Sequence, residues 1–197
     1  MTVLLGLTGS IGMGKSTAAR LFQAEGCPVW DADACVHRLY GPAAPGTDRI
    51  RVLAPTAVTD AGVDRSALRD LIAEEPTLLK DIETAIHPLV AADRAAFIAQ
   101  HSDPCLVFEI PLLYETNAQA ALTAVAVVST FPEVQRDRVL ARPGMTEETL
   151  KMITAKQMSD AEKRARADYI IDSTTMNTAT ADVKRILADL LKGSTHA

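Results

Sequence analysis

The sequence predicts an α/β fold: a five-stranded parallel sheet in a three-layer architecture, with a helical insertion and a helical lid. Three observations predict it. Short apolar runs alternate with helical patterns, which is the signature of βαβ units. The runs are continuously apolar rather than alternating, as strands covered on both faces are. The first of them leads directly into Gly9-Ser10-Ile11-Gly12-Met13-Gly14-Lys15-Ser16-Thr17, whose residues 9 to 16 match G-x-x-x-x-G-K-S/T in full. That combination is the opening of a P-loop NTPase fold.

Val3 to Leu7 is the first strand, and a helical stretch, Ala18 to Glu25, follows the loop. Glycines let successive backbone N–H groups turn inward and wrap a phosphate without a Cβ in the way. The helix that starts near Lys15 points its positive end at the same anion. Lys15 is then placed for the β- and γ-phosphates of a nucleotide, and the Ser16 hydroxyl for Mg²⁺. The bland alternative is a glycine-rich turn between a strand and a helix; the complete motif in that context argues for a nucleotide site.

The second run is Pro28 to Asp31, followed by a helical pattern to Tyr40. The interval from Asp31 to Cys105 is far longer than one crossover needs. It opens on the turn-rich Gly41-Pro42-Ala43-Ala44-Pro45-Gly46 and then carries helical patterns at Thr47 to Leu53, Ser66 to Glu74 and Thr77 to Gln100. These residues read as a helical insertion beside the sheet. Pro88 interrupts the last pattern, which predicts a kink or a helix start near His87. The remaining strands are Cys105 to Ile110, Ala124 to Ser129 and Tyr169 to Asp172.

Between the last two strands, Pro132 opens a helix with Glu133 in its first turn. Arg142-Pro143-Gly144 breaks it, and Thr146-Glu147-Glu148 begins another. This segment concentrates arginine and lysine. A solvated charged face accounts for most of them. Arg138 and Arg142 differ, because i,i+4 spacing puts both guanidinium groups on one helix face, where they suit phosphates that shed and gain charge. The domain reading is a nucleotide-binding core of residues 1–40, 102–141 and 168–197, an insertion of residues 41–101 and a lid of residues 142–167.

With 20 basic against 25 acidic residues, a net charge of −5 and 4% aromatics, the chain lacks the basic face and stacking platform of a nucleic-acid protein. Cys27, Cys35 and Cys105 show no C-x-x-C spacing and read as reduced thiols of a cytoplasmic protein. The longest apolar run, Ala118 to Val128, is too short to span a bilayer. No leader-like basic segment precedes the first strand. No membrane, nucleic acid or obligate protein partner is expected.

The phosphate loop alone does not separate a kinase from a GTPase or an ATP-driven machine. Asp31-Ala32-Asp33 closes the second strand, at the ligand edge of an open α/β sheet. Either carboxylate could cap the following helix. Capping needs one of them, so the other is available to accept the proton of an attacking hydroxyl. Guanine recognition would want N-K-x-D, whereas Asn117 and Asn177 are followed by alanine and threonine.

Leu7-Thr8-Gly9-Ser10-Ile11-Gly12-Met13-Gly14-Lys15-Ser16-Thr17 resembles the phosphate loop of dephospho-CoA kinases. The likeness continues through Asp31-Ala32-Asp33, Asp60 to Leu68, Ile86-His87-Pro88 and Pro111-Leu112-Leu113-Tyr114-Glu115. It extends through Gln135 to Arg142, Gln157 and Ala167 to Ile171, covering nearly the whole chain in order. The resemblance implies transfer of the ATP γ-phosphoryl to the ribose 3′-hydroxyl of dephospho-CoA, giving CoA and ADP.

It implies Asp33 as the base, with Lys15, Arg138 and Arg142 stabilising phosphate charge. Gly9, Ile11, Gly12, Met13, Gly14, Lys15, Ser16 and Thr17 would hold the nucleotide. Thr8, Asp31, Arg65, His87, Pro111, Leu112 and Leu113 would serve the acceptor, with residues 41–101 as the acceptor domain. His87 has a rival reading as a hydrogen-bonding residue beside Pro88. Four features depart from the family. Leu53-Ala54-Pro55 lacks its common F-G. Ser10 replaces a glycine. Ser173-Thr174-Thr175 replaces an asparagine-containing turn, leaving the adenine contacts open. Glu109, before Pro111-Leu112-Leu113, reads equally as a water-mediated Mg²⁺ partner or a polar strand end.

Overall fold

The computed structural model describes residues 2–193. In chain order these form β1 (Val3–Thr8), α1 (Lys15–Ala24), β2 (Val29–Asp31), α2 (Ala32–Leu39), α3 (Pro45–Leu53), β3 (Val58–Thr59) and β4 (Gly62–Val63). Next come α4 (Arg65–Glu74), α5 (Thr77–Gln100), β5 (Cys105–Glu109), β6 (Ala124–Ser129), α6 (Pro132–Leu140) and α7 (Glu147–Ala155). The chain closes with α8 (Asp160–Arg166), β7 (Tyr169–Asp172) and α9 (Met176–Gly193). It divides into two compact units: residues 31–100, and the segments before and after them.

The first unit holds the sheet, in the order β2-β5-β1-β6-β7. β1 lies in the middle, paired in parallel with β5 (Leu5 opposite Val107) and with β6 (Leu5 opposite Ala124). Both faces of the sheet are covered, which is why the strands are apolar at successive positions. On one face Leu5, Leu7, Val107, Ala126, Val128 and Ile171 pack with Ala18 and Phe22 of α1 and with Val183 and Ile186 of α9. On the other, Val125 and Val127 pack with Leu113, Tyr114, Leu122 and Met158. Phe22 has no exposed surface, so Phe22→Ala would cost about 3–5 kcal/mol through lost transfer energy and the cavity left behind.

The second unit contains α2 to α5 and a two-stranded antiparallel hairpin, β3–β4. Compactness divides the chain at Asp31, earlier than the Gly41 boundary the sequence suggests. The physical reason is α2. Its Cys35 and Leu39 are buried, and its Arg38 makes an ion pair with Asp93 of α5 at 2.9 Å. Of the kink or helix start expected near His87, the start does not occur: α5 continues through Pro88. A proline there removes one donor to the Thr84 carbonyl. Thr84 is exposed, so water can serve that carbonyl.

The segment of residues 142–167 also differs. The second helix anticipated from Thr146 onward is two, with a turn at residues 156–159 between α7 and α8. Thr146 caps α7, and Ser159 with Glu162 forms a reciprocal capping box on α8. Ser-x-x-Glu is itself the signal for that additional start.

Candidate active site

The phosphate loop leaves the end of the central strand and turns into α1, so the sheet aims it. Gly9 approaches β6 so closely that an added Cβ would lie 2.5 Å from the Val128 carbonyl oxygen. Gly14 sits at the N-cap of α1 with φ 89°, a left-handed conformation that side chains rarely adopt. No side chain caps α1, and its first turn holds no acidic residue. The first-turn amides are therefore left without a partner from the helix's own side chains, the arrangement an anion needs.

Side chains hold this loop from three directions. Lys15 donates from Nζ to the Gly9 carbonyl at 3.1 Å, laying its ammonium across the loop. Ser173 Oγ donates to the Met13 carbonyl at 2.7 Å. Gln135 Nε2 donates to the Ile11 carbonyl at 2.8 Å, while the Ile11 N–H donates to Gln157 Oε1 at 3.3 Å. Ser16 Oγ donates to Glu109 Oε1 at 3.1 Å, and Glu109 is a buried carboxylate at the end of β5. These are hard oxygen donors beside a phosphate cradle, a set that suits Mg²⁺. Among the described residues no group of three His, Cys, Asp or Glu side chains could hold a metal unaided.

Arg138 and Arg142 line one cavity of about 270 Å³ together with Gly14, Thr17, Ser173 and Thr175. They do not share a helix face as the i,i+4 spacing suggests: α6 ends at Leu140, and Arg142 reaches the cavity from the turn beyond the C-cap Ala141. Arg138 is already engaged, however: Nη1 donates to Ser173 Oγ at 3.1 Å and Nη2 to the Ser173 carbonyl at 2.7 Å. It braces the turn after β7. In that turn the Thr174 N–H donates to Asp172 at 2.8 Å, and hydrogen bonds from Thr174 hold the Asp172 carboxyl below its usual range.

Two residues expected at the acceptor are instead internal. Thr8 is fully buried and donates from Oγ1 to the Pro111 carbonyl at 3.1 Å, so it fixes the turn after β5. Leu113 has no exposed surface and belongs to the core beneath the sheet, whereas Leu112 is 42% exposed.

In the second unit, Asp31 caps α2, accepting from Asp33 N at 2.8 Å and Ala34 N at 3.1 Å. The alternative left open by the sequence is thereby settled: Asp31 is the cap. Asp33 is exposed, and among the described residues its carboxylate takes no hydrogen bond or ion pair. Arg65 lies over the Tyr40 ring, 5.7 Å from its centre, and both border a cavity of about 480 Å³ with Leu68, Arg69 and Ile72. Burial pushes the Tyr40 hydroxyl above its ordinary pKa, with Arg65 opposing that shift. His87 is exposed on α5.

Sequence reasoning gave no role to Gln135, Gln157 and Ser173, which clasp the loop. The two glutamines were visible only as positions in a family pattern. A contact between a side chain and a backbone 124 or 146 residues away leaves no local signature.

A family model described as dephospho-CoA kinase matches residues 3–179. A dephospho-CoA kinase of Ruegeria pomeroyi is 51% identical over 197 residues, covering 100% of both chains. One from Jannaschia sp. is 50% identical over 195 residues, 98% of this chain and 100% of the relative. A crystal structure from Thermus thermophilus superposes with a TM-score of 0.85 at 32% identity, covering 96% of this chain and 98% of that one. A shikimate kinase from Bacteroides thetaiotaomicron, with a TM-score of 0.51 and 15% identity over 95% of this chain and 98% of that one, shares the fold.

Proposed function

The chain belongs to the dephospho-CoA kinase family, matched over residues 3–179, and from that premise we propose how its own residues carry the reaction. The enzyme transfers the γ-phosphoryl group of ATP to the ribose 3′-hydroxyl of dephospho-CoA, giving CoA and ADP, the last step of coenzyme A biosynthesis. One observation carries the assignment of roles. A left-handed Gly14 opens an uncapped helix next to a cavity that both arginines line.

Phosphoryl transfer passes through a loose transition state, so positioning and charge do most of the catalysis. In the proposed reading the amides of residues 9–17 hold the β- and γ-phosphates, and Lys15 leaves the Gly9 carbonyl for them. Arg142 neutralises charge as it moves. Arg138, braced by Ser173, walls the cavity that takes the nucleoside. Mg²⁺ would be held by Ser16, with Glu109 orienting that hydroxyl, and would supply charge neutralisation between phosphates. Asp33 is proposed as the base. Its support is the capping by Asp31, which leaves the Asp33 carboxylate uncommitted.

Residues 41–101 are proposed to receive dephospho-CoA, with Arg65, His87, Pro111 and Leu112 at the acceptor, and residues 142–167 to act as a lid that excludes water. Among the described residues no helix is long and apolar enough to cross a membrane, and Cys27, Cys35 and Cys105 are free thiols. Those thiols support a cytoplasmic location.

A coupled assay of ADP release, with and without dephospho-CoA, tests the reading. ADP release should depend on dephospho-CoA and be much slower with AMP, CMP or a nucleoside. Release indifferent to dephospho-CoA would overturn it.

A further inference from the structure

The two backbone hydrogen-bonding groups of Ile11 are both taken by side chains, and both side chains are glutamines. Gln135 stands on α6, before the lid segment, and gives its amide N–H to the Ile11 carbonyl at 2.8 Å. Gln157 stands in the turn between α7 and α8, after the lid helix α7, and takes the Ile11 N–H on its carbonyl at 3.3 Å. The polarity is fixed by the backbone. A carbonyl needs a donor and an N–H needs an acceptor, and the glutamine side-chain amide can offer either one.

Both glutamines are themselves held. α6 packs so tightly on the loop that a Cβ added at Gly12 would lie 3.0 Å from the Gln135 carbonyl oxygen and 2.5 Å from Val139 Cγ2. The turn carrying Gln157 is pinned one residue later, where Met158 N donates to Glu115 Oε1 at 2.8 Å. That carboxylate is paired at 3.0 Å with Lys163, whose side chain is 0% exposed. Residue 11 is therefore clasped by groups that flank the lid helix on both sides.

We propose that Gln135 and Gln157 are positioning residues that preset the phosphate loop for ATP by clasping Ile11 and so couple nucleotide affinity to the attachment of the lid segment. The proposal rests on the reading of residues 9–17 as the nucleotide cradle. With the peptides on either side of Ile11 fixed, the amides of the following glycines are held facing the phosphates before ATP arrives, so binding orders less backbone. Losing either contact leaves the loop to sample other conformations, and the apparent affinity falls by the fraction of competent loop that remains.

Glutamate substitution separates this from a packing role, because it preserves shape and acceptor while deleting the donor. Gln157→Glu keeps the acceptor facing the Ile11 N–H and makes that bond charge-assisted. Gln135→Glu sets a carboxylate against a carbonyl oxygen. Both add the same charge beside the same residue, so any general repulsion of ATP is common to the pair. Steady-state KM for MgATP at saturating dephospho-CoA should rise roughly tenfold or more for Gln135→Glu. It should stay within about twofold of wild type for Gln157→Glu. Gln157→Met, which removes the acceptor, should raise KM as Gln135→Glu does. KM for dephospho-CoA and the melting temperature should move little in all three.

Equal KM changes in the two glutamate variants, or a change confined to kcat or to KM for dephospho-CoA, would overturn the proposal. If Gln135→Glu fails to fold, Gln135→Met carries the same prediction without a charge. Failure of the functional reading looks different: the wild type itself would show no ADP release dependent on dephospho-CoA.

Discussion

Lys15 spans the loop it belongs to, its ammonium resting on the Gly9 carbonyl at 3.1 Å. An ammonium held this way is close to any phosphate the loop encloses and moves only a little to meet it. Lys15→Ala should lower kcat by roughly 10²-fold or more, with circular dichroism unchanged, because it removes charge stabilisation and no packing. Unaltered turnover would show that the loop does not act on the transferred group. Asp33→Asn is nearly isosteric and disturbs no cap, since Asp31 accepts the α2 amides. It should lower kcat roughly 10²-fold, the low end for a general base when the proton leaves late. A rise in KM for ATP with kcat intact would assign Asp33 to binding instead. Both residues stand out in the sequence by residue type and by their place after a strand, and the roles proposed for them are what these two variants test.

α8 shows what one short element contributes, because several contacts converge on its seven residues. Its Asp160 accepts from Ser129 Oγ of β6 at 2.8 Å, and its Lys163 is the buried partner of Glu115. Replacing one member of this pair has unequal consequences. Glu115→Leu leaves the ammonium unpaired in the interior and should cost about 3–5 kcal/mol. Lys163→Met leaves a carboxylate that is 19% exposed and partly hydrated, so urea midpoints should show a smaller loss. Combined with Lys163→Met, Glu115→Leu should recover much of its own loss, as replaced buried pairs do.

The same pair makes the anchor sensitive to acid. Burial alone would raise the pKa of Glu115. The ion pair with Lys163 and the hydrogen bond from the Met158 N–H outweigh burial and hold the carboxyl below its usual value of 4.5. A group depressed in the folded state stabilises above its unfolded pKa and loses that contribution as pH falls through the folded one. Wild-type stability should therefore decline more steeply below about pH 4.5 than that of Glu115→Gln, whose side chain does not titrate. Parallel declines would show the pair to be energetically idle.

At this scale the sequence was readable unevenly. Ala124 to Ser129 and Tyr169 to Asp172 emerged with their observed ends, because continuous apolar runs bounded by polar residues mark buried strands. The β3–β4 hairpin was invisible, since two-residue strands are too short for any period to show. Pro88 misled because an exposed helix turn tolerates a missing donor that a buried one would not.

Across the molecule, β1 lies between β5 and β6, so the strand that presents the phosphate loop finds its partners only in chain that follows residue 100. The loop, both arginines, Glu109 and the two glutamines all belong to that discontinuous unit, while residues 31–100 form a contiguous one. Acceptor residues named from the sequence split accordingly. Arg65 and His87 fall in the contiguous unit, and Pro111 and Leu112 in the other. Thr8 and Leu113 proved internal, which sequence alone could not show because a motif records residue type and not the direction a side chain takes.

This division has a thermodynamic consequence. Anything that binds only the folded state stabilises it by mass action, by about 2.7 kcal/mol at one hundred times Kd. Since every residue proposed to hold the nucleotide lies within the discontinuous unit, MgATP should raise the melting temperature without any acceptor. At 197 residues the shift should be roughly 2–4 °C per kcal/mol, or several degrees at saturation. Lys15→Ala should abolish most of this shift in a thermal scan while leaving the unliganded melting temperature in place. If dephospho-CoA were required before MgATP gave any shift, the cradle would be incomplete in the free protein, and the preset loop proposed for Ile11 would fail with it.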